Sequence, residues 1–256
     1  IGTSAGDALT SGFKNVLLGM DAGGALQTGY NHILVGPTAG DALTGGRNNV
    51  ALGQHALGGS TANVGCIAIG SATMQAINST DADGTVGIGN ECLVSLTNGQ
   101  YNVAIGHQAM YAEDDGDYST AVGYQALTAQ TGTSGEVGNT AVGTQAALAI
   151  TKGKHNTAVG LWALYSDDVG DGSTAIGKSA LYAQNSDSDN EATGNTGVGF
   201  NAGLYNVTGT NNTWLGYQAG FGASGQSNQY NTGVGSLSLK SITDGGFNVA
   251  LGSRAG

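Results

Sequence analysis

Proline is almost absent, with a single residue, Pro37, in a chain of 256. A collagen-like triple helix needs glycine at every third position and abundant proline, so that class is excluded. Charge is scarce too: 18 acidic and 7 basic residues give a formal net charge of −11. Nucleic acid and anionic membrane surfaces both require a basic face, and neither is expected as a partner. Only two cysteines occur, Cys66 and Cys92, and they form no CxxC pair. Two are too few for a disulfide scaffold and they assign no redox compartment. Aromatics amount to 6%, and no run approaches the ~18 apolar residues that a membrane span needs. Glycine, in contrast, is plentiful at 47 residues, which removes long helices and coiled coils. The 39% of hydrophobic residues are mostly small and aliphatic, enough for a packed chain rather than a disordered one.

The glycines carry a repeat. Aligned on one of them, the anchors are Gly2, Gly19, Gly36, Gly53, Gly70, Gly89, Gly106, Gly123, Gly143, Gly160, Gly177, Gly199, Gly216, Gly235 and Gly252. Ten of the fourteen gaps are 17 residues and the others are two to five longer. Position −1 is aliphatic in every repeat, from Ile1 to Leu251. Position −3 is always β-branched, including seven threonines between Thr120 and Thr232. Positions −3 and −1 share one face of a short strand, which is expected to be buried. Asn fills position −4 in nine repeats, among them Asn102, Asn156 and Asn231, and suits a corner whose amides bond from rung to rung. Position +3 is alanine in twelve of fifteen repeats, a second tight apolar contact.

A unit of this size cannot bury its apolar stripe alone and must stack on its neighbours. The expected fold is all-β, a parallel β-solenoid (β-roll) of about fifteen 17-residue repeats, forming one repeat domain over residues 1–256. At a rung spacing of ~4.8 Å the repeats would extend over roughly 70 Å. Position −2 points away from −3 and −1 and yet is small: Ala51, Ala68, Gly87, Ala104, Ala121, Ala141, Ala158, Ala175, Gly197, Gly233 and Ala250. Close approach of further copies of the chain would explain it, and these eleven residues are the candidate trimer interface. A second sheet of the same coil packing on that face is the alternative. Ile1–Gly2 and residues 253–256 contain no cap, which suggests a section of a longer fibre chain.

The units at Ser119 to Leu127, Asn139 to Ala147 and Asn212 to Gly220 resemble the repeats of bacteriophage tail-fibre proteins. Asn102 to Gly106, NVAIG, is similar to the head repeats of trimeric autotransporter adhesins. The resemblance spans essentially the whole chain. It implies a homotrimeric fibre, extracellular or on a virion surface, of left-handed parallel β-rolls, with a receptor-binding tip or a chaperone domain elsewhere. The 17-residue period and the acidic insertions depart from the adhesin heads.

Several local patterns are products of the repeat. Gly2-Thr3-Ser4-Ala5-Gly6 matches G-x-S-x-G, but it is equivalent to Gly252 to Gly256 and lacks the strand-to-helix context of a nucleophile elbow. Gly87 to Gly89 and Gly197 to Gly199 lack the alternating strand and helix of a phosphate loop. His32, His55, His107 and His155 fall in different columns with no zinc-ligand spacing. Acidic residues gather in loops expected to be solvated: Asp81 and Asp83; Glu113, Asp114, Asp115 and Asp117; Asp167, Asp168 and Asp171. Asp187, Asp189 and Glu191 are weak calcium candidates, because alternating carboxylates offer oxygen ligands but lack the order of a known calcium loop. The threonine column also fits an ice-binding array. Tyr111, Trp162, Tyr165, Tyr182, Tyr205 and Phe221 are candidates for stacking on sugars. No catalytic residue and no cofactor is expected. The expected function is a structural shaft of a phage tail or head fibre that positions a host-receptor-binding element, with itself and other virion proteins as partners. The alternative is a cell-surface adhesin or glycan-binding module that uses the side wall of the solenoid.

Overall fold

The structure, a computed structural model, describes residues 1–77, 82–132, 135–189, 191–225 and 227–256. The described residues contain strands and turns and no helix. Contacts cluster into two compact units, residues 1–125 with 131–136, and residues 126–130 with 137–256. The first holds β1 (Val16–Leu18), β2 (Ile33–Val35), β3 (Val50–Leu52), β4 (Ile67–Ile69), β5 (Val86–Ile88), β6 (Val103–Ile105), β7 (Gly116–Asp117), β8 (Thr120–Val122) and β9 (Gly135–Glu136). The second holds β10 (Thr140–Val142), β11 (Thr157–Val159), β12 (Thr174–Ile176), β13 (Thr196–Val198), β14 (Thr213–Leu215), β15 (Thr232–Val234) and β16 (Val249–Leu251).

Every three-residue strand occupies positions −3 to −1. In the first unit each pairs in parallel with the equivalent strand of the next turn, as in Val50↔Ile67, Ala51↔Ala68 and Leu52↔Ile69. The second unit repeats this with Thr157↔Thr174, Ala158↔Ala175 and Val159↔Ile176. Each unit is therefore a parallel β-solenoid. β7 and β9 form a separate two-stranded parallel ladder, Gly116↔Gly135 and Asp117↔Glu136.

The strands end after three residues because the anchor glycine takes a φ that an L side chain rarely adopts, +132° at Gly160 and +137° at Gly53. A Cβ on Gly53 would also lie 2.5 Å from the carbonyl oxygen of Gly70, the anchor one turn on. Left-handed residues follow at +2 and +4, for example Trp162 (φ 59°) and Leu164 (φ 50°). This conformation is unfavourable for side chains other than glycine. It is offset by main-chain hydrogen bonds along the stack: the +2 amide of Trp162 donates back to Thr144 O at 3.2 Å, and the +4 amide of Leu164 donates forward to Ala180 O at 2.9 Å.

The core lies inside each coil, between the strand's −2 side chains and the turn residues at +3, +4 and +7. Columns −2 and +4 are complementary in volume. Where −2 is small, +4 is large in most repeats, as in Ala51 with Leu57, Ala68 with Met74 and Ala158 with Leu164, all buried; Ala141 with Ala147, Gly197 with Gly203 and Ala250 with Gly256 depart from this. Where −2 is large, +4 is glycine. A Cβ on Gly23 would meet Leu17 Cδ2 at 3.1 Å, and one on Gly220 would run into the ring of Trp214. Trp214, the largest fully buried side chain, also has glycine directly above and below it in register, Gly197↔Trp214 and Trp214↔Gly233.

Candidate functional site

Burial of the strand faces is the reverse of the expectation. The eleven interface candidates Ala51, Ala68, Gly87, Ala104, Ala121, Ala141, Ala158, Ala175, Gly197, Gly233 and Ala250 are buried inside a single coil. Their small size answers to the turn residues across a narrow interior, with no need of another chain. The −3 and −1 side chains point outward instead: Val16 is 53% exposed, Leu18 44%, Ile176 39% and Leu215 45%. Each unit thus carries a two-column outer face, aliphatic at −1 throughout and at −3 in the first unit as far as Val103, with threonine at −3 from Thr120 to Thr232. An exposed apolar surface that recurs turn after turn is an association surface or a ligand platform.

The −4 corner is held by side-chain amides, and these bond chiefly to main chain. Asn156 Oδ1 accepts the Ser173 N–H at 2.8 Å, while its Nδ2 donates to Gly170 O at 2.7 Å. Asn102 does the same with the Ser119 N–H at 2.8 Å and Gly116 O at 2.6 Å. Direct amide-to-amide bonds appear near the end of the second unit, as in Asn248 Nδ2 to Asn231 Oδ1 at 2.9 Å. Cys66 takes an asparagine place and donates its Sγ–H to Ala82 O at 3.1 Å. Burial pushes the thiols of Cys66 and Cys92 up to about 12, so both remain protonated and unreactive. They are free cysteines. His32 stands in the same column, and its Nδ1 accepts the Asn49 N–H at 3.3 Å.

Two of the acids expected in solvated loops are interior. Glu113 and Asp167 are fully buried at +7, where other repeats have Leu26, Leu43 or Ile150. Glu113 Oε1 accepts the Gly116 N–H at 2.7 Å. Asp167 accepts Ser186 Oγ–H at 2.9 Å and Gln184 Nε2–H at 2.5 Å. Each closes its corner as a hydrogen-bond acceptor. Asp81 lies outside the described residues. Asp187, Asp189 and Glu191 do not converge: Asp189 pairs with Lys152 Nζ at 2.7 Å, and Glu191 accepts the Asp187 N–H at 3.1 Å. Among the described residues no three His, Cys, Asp or Glu side chains come together as a metal site.

Outside the strands the aromatics stack rung on rung. Tyr165 and Tyr182 lie 5.0 Å apart and nearly parallel, and Phe200 and Tyr217 5.5 Å apart. Tyr205 meets Phe221 edge-on at 5.1 Å. Within the second unit Trp162, Lys178, Tyr182, Phe200, Asn201 and Tyr205 line an open cleft of about 300 Å³. Three of these, Trp162, Tyr182 and Tyr205, are among the sugar-stacking candidates; Tyr165 and Phe221 buttress them, and Tyr111 belongs to the first unit. Lys178, Phe200 and Asn201 were not singled out in the sequence. Their signal is columnar: Lys178, Phe200 and Tyr217 occupy +1 in three successive repeats.

No protein-family model, curated protein or solved structure matches the chain.

Proposed function

We propose that the chain is a structural section of a phage tail or head fibre, assembled as a homotrimer, extracellular or on a virion, that positions a host-receptor-binding element. The observation that carries this reading is the outward aliphatic face at −3 and −1. The −1 aliphatic recurs at every turn, and its side chains stay partly or largely exposed. Identical copies offer identical faces, which suits closure about a cyclic axis. The mechanism is mechanical: main-chain bonds between rungs resist extension, and packing of the outer faces against one another stiffens the assembly. The resemblance of Ser119 to Leu127 and Asn139 to Ala147 to tail-fibre repeats supports the same reading. Light scattering of the purified protein tests it. A mass near three times the 25.2 kDa chain is expected, and a monomer at all concentrations removes the trimeric fibre.

A further inference from the structure

The aromatic cleft of the second unit shares no residue with the −3/−1 face, so what it binds is independent of the fibre reading. It is built from columns +1, +2, +5 and +6 of three successive turns. Trp162 supplies one wall, a third exposed, its ring held by a hydrogen bond from Nε1 to Gln145 Oε1 at 2.9 Å. Phe200, 40% exposed, supplies another, backed by the parallel ring of Tyr217. Lys178 stands between them, its Nζ 5.6 Å from the Trp162 ring centroid and 5.6 Å from that of Phe200. The ammonium is exposed and faces both rings. No carboxylate pairs with it: among the described residues the ion pair is Lys152 with Asp189.

The cleft therefore combines flat aromatic faces, one cation without a carboxylate partner, and lining residues with polar groups, Asn201, Tyr182 and Tyr205. Its volume falls at the lower end of the ~300–1,000 Å³ range of small-ligand pockets and is open to solvent on one side. A purely apolar ligand would leave the lysine and the amide unused. A free inorganic anion would leave the rings unused. A pyranose bearing a carboxylate meets every part, because its C–H face packs on an aromatic ring, its hydroxyls bond the polar lining groups and its carboxylate pairs with the lysine.

We propose that this cleft binds a saccharide carrying a carboxylate, with the sugar stacked on Trp162 and Phe200 and its carboxylate on Lys178. The probes are trigalacturonate, its methyl ester as a neutral twin, and 3′-sialyllactose, titrated into the whole protein by calorimetry and by tryptophan fluorescence. Trp214 is fully buried, so a change in emission on binding reports Trp162. At least one acidic saccharide is expected to bind and change that emission. Trp162→Leu and Lys178→Gln are each expected to weaken binding roughly tenfold or more, and the methyl ester to bind roughly tenfold more weakly than its acid. Tyr124→Ala, at the +1 aromatic of another rung, is expected to leave affinity unchanged. Lys178 is exposed, so its variant stays informative if Trp162→Leu folds poorly. The proposal is overturned if no acidic saccharide binds at millimolar concentration, if the neutral twin binds as well as its acid, or if Lys178→Gln has no effect.

Discussion

Asn156 uses both ends of its side-chain amide on the next turn, accepting from the Ser173 N–H and donating to Gly170 O, and all three residues are buried. Asn156→Ala leaves a buried N–H and a buried C=O unpaired. At about 1–3 kcal/mol for each unsatisfied group, the local penalty is roughly 2–6 kcal/mol. A long repeat array need not unfold in one step, so hydrogen exchange is the suitable measurement. The Ser173 amide and its neighbours in β11 and β12 are expected to lose protection; unchanged protection would show that the amide corner contributes nothing. His32 in the same column makes stability depend on pH. Burial holds its imidazole below the ordinary histidine range, opposed by the carbonyls of Gly45 and Gly46. The unfolded chain then binds the proton more readily than the folded one. This contribution is complete above the ordinary histidine pKa and is lost as pH falls from there toward the lower folded value. Melting at about pH 7.5 and about pH 5 should therefore show a larger drop for the native protein than for His32→Gln. Equal drops would exclude His32 as the cause.

At the scale of the turn, the volume exchange between −2 and +4 makes a sharper prediction. Trp214→Ala removes the largest buried side chain from a rung whose facing residues, Gly203 and Gly220, cannot fill the space. A loss of about 3–5 kcal/mol is expected in urea melts of the second unit. Adding Gly220→Leu restores the Ala-with-Leu pairing seen at Ala158 and Leu164, and Leu164 already tolerates the left-handed φ of 50° at that position. The double variant is expected to regain at least half of the loss, and a double variant no better than Trp214→Ala would refute the exchange. Much of the turn was legible beforehand: the period, the strand at −3 to −1, the glycine that ends it and the asparagine corner all follow from column chemistry. Which strand face points inward was not. Alternation defines two faces, and hydrophobicity alone assigns Val, Ile and Leu at −3 and −1 to the inside. In turns with Leu or Met at +4 and Ala at +3 the interior is too narrow for them; Leu34 and Trp214 fit inside because their +4 partners are glycine. The burial of Glu113 and Asp167 was equally hidden, since a corner acceptor and a solvated acid look the same in a single repeat.

For the whole molecule, that reversal relocates the surface through which copies would meet. Ala175 and Ile176 are adjacent in β12, yet Ala175 is 0% exposed and Ile176 is 39% exposed. If the outer face joins three chains, Ile176→Lys places a cation in each copy near its symmetry mates, where burial without a partner is strongly unfavourable. The variant should keep the circular dichroism of the native protein while its mass by light scattering falls to that of a single chain. Ala175→Lys, in contrast, forces a long charged side chain into the coil and should lose native structure whatever the state of assembly. If the interface lay at −2, as the small residues of that column suggest from sequence, the pattern would be exchanged: Ala175→Lys would yield a folded monomer and Ile176→Lys would remain assembled. The two neighbouring substitutions thus decide between the faces, and a native protein that is already monomeric would rule out assembly through either one.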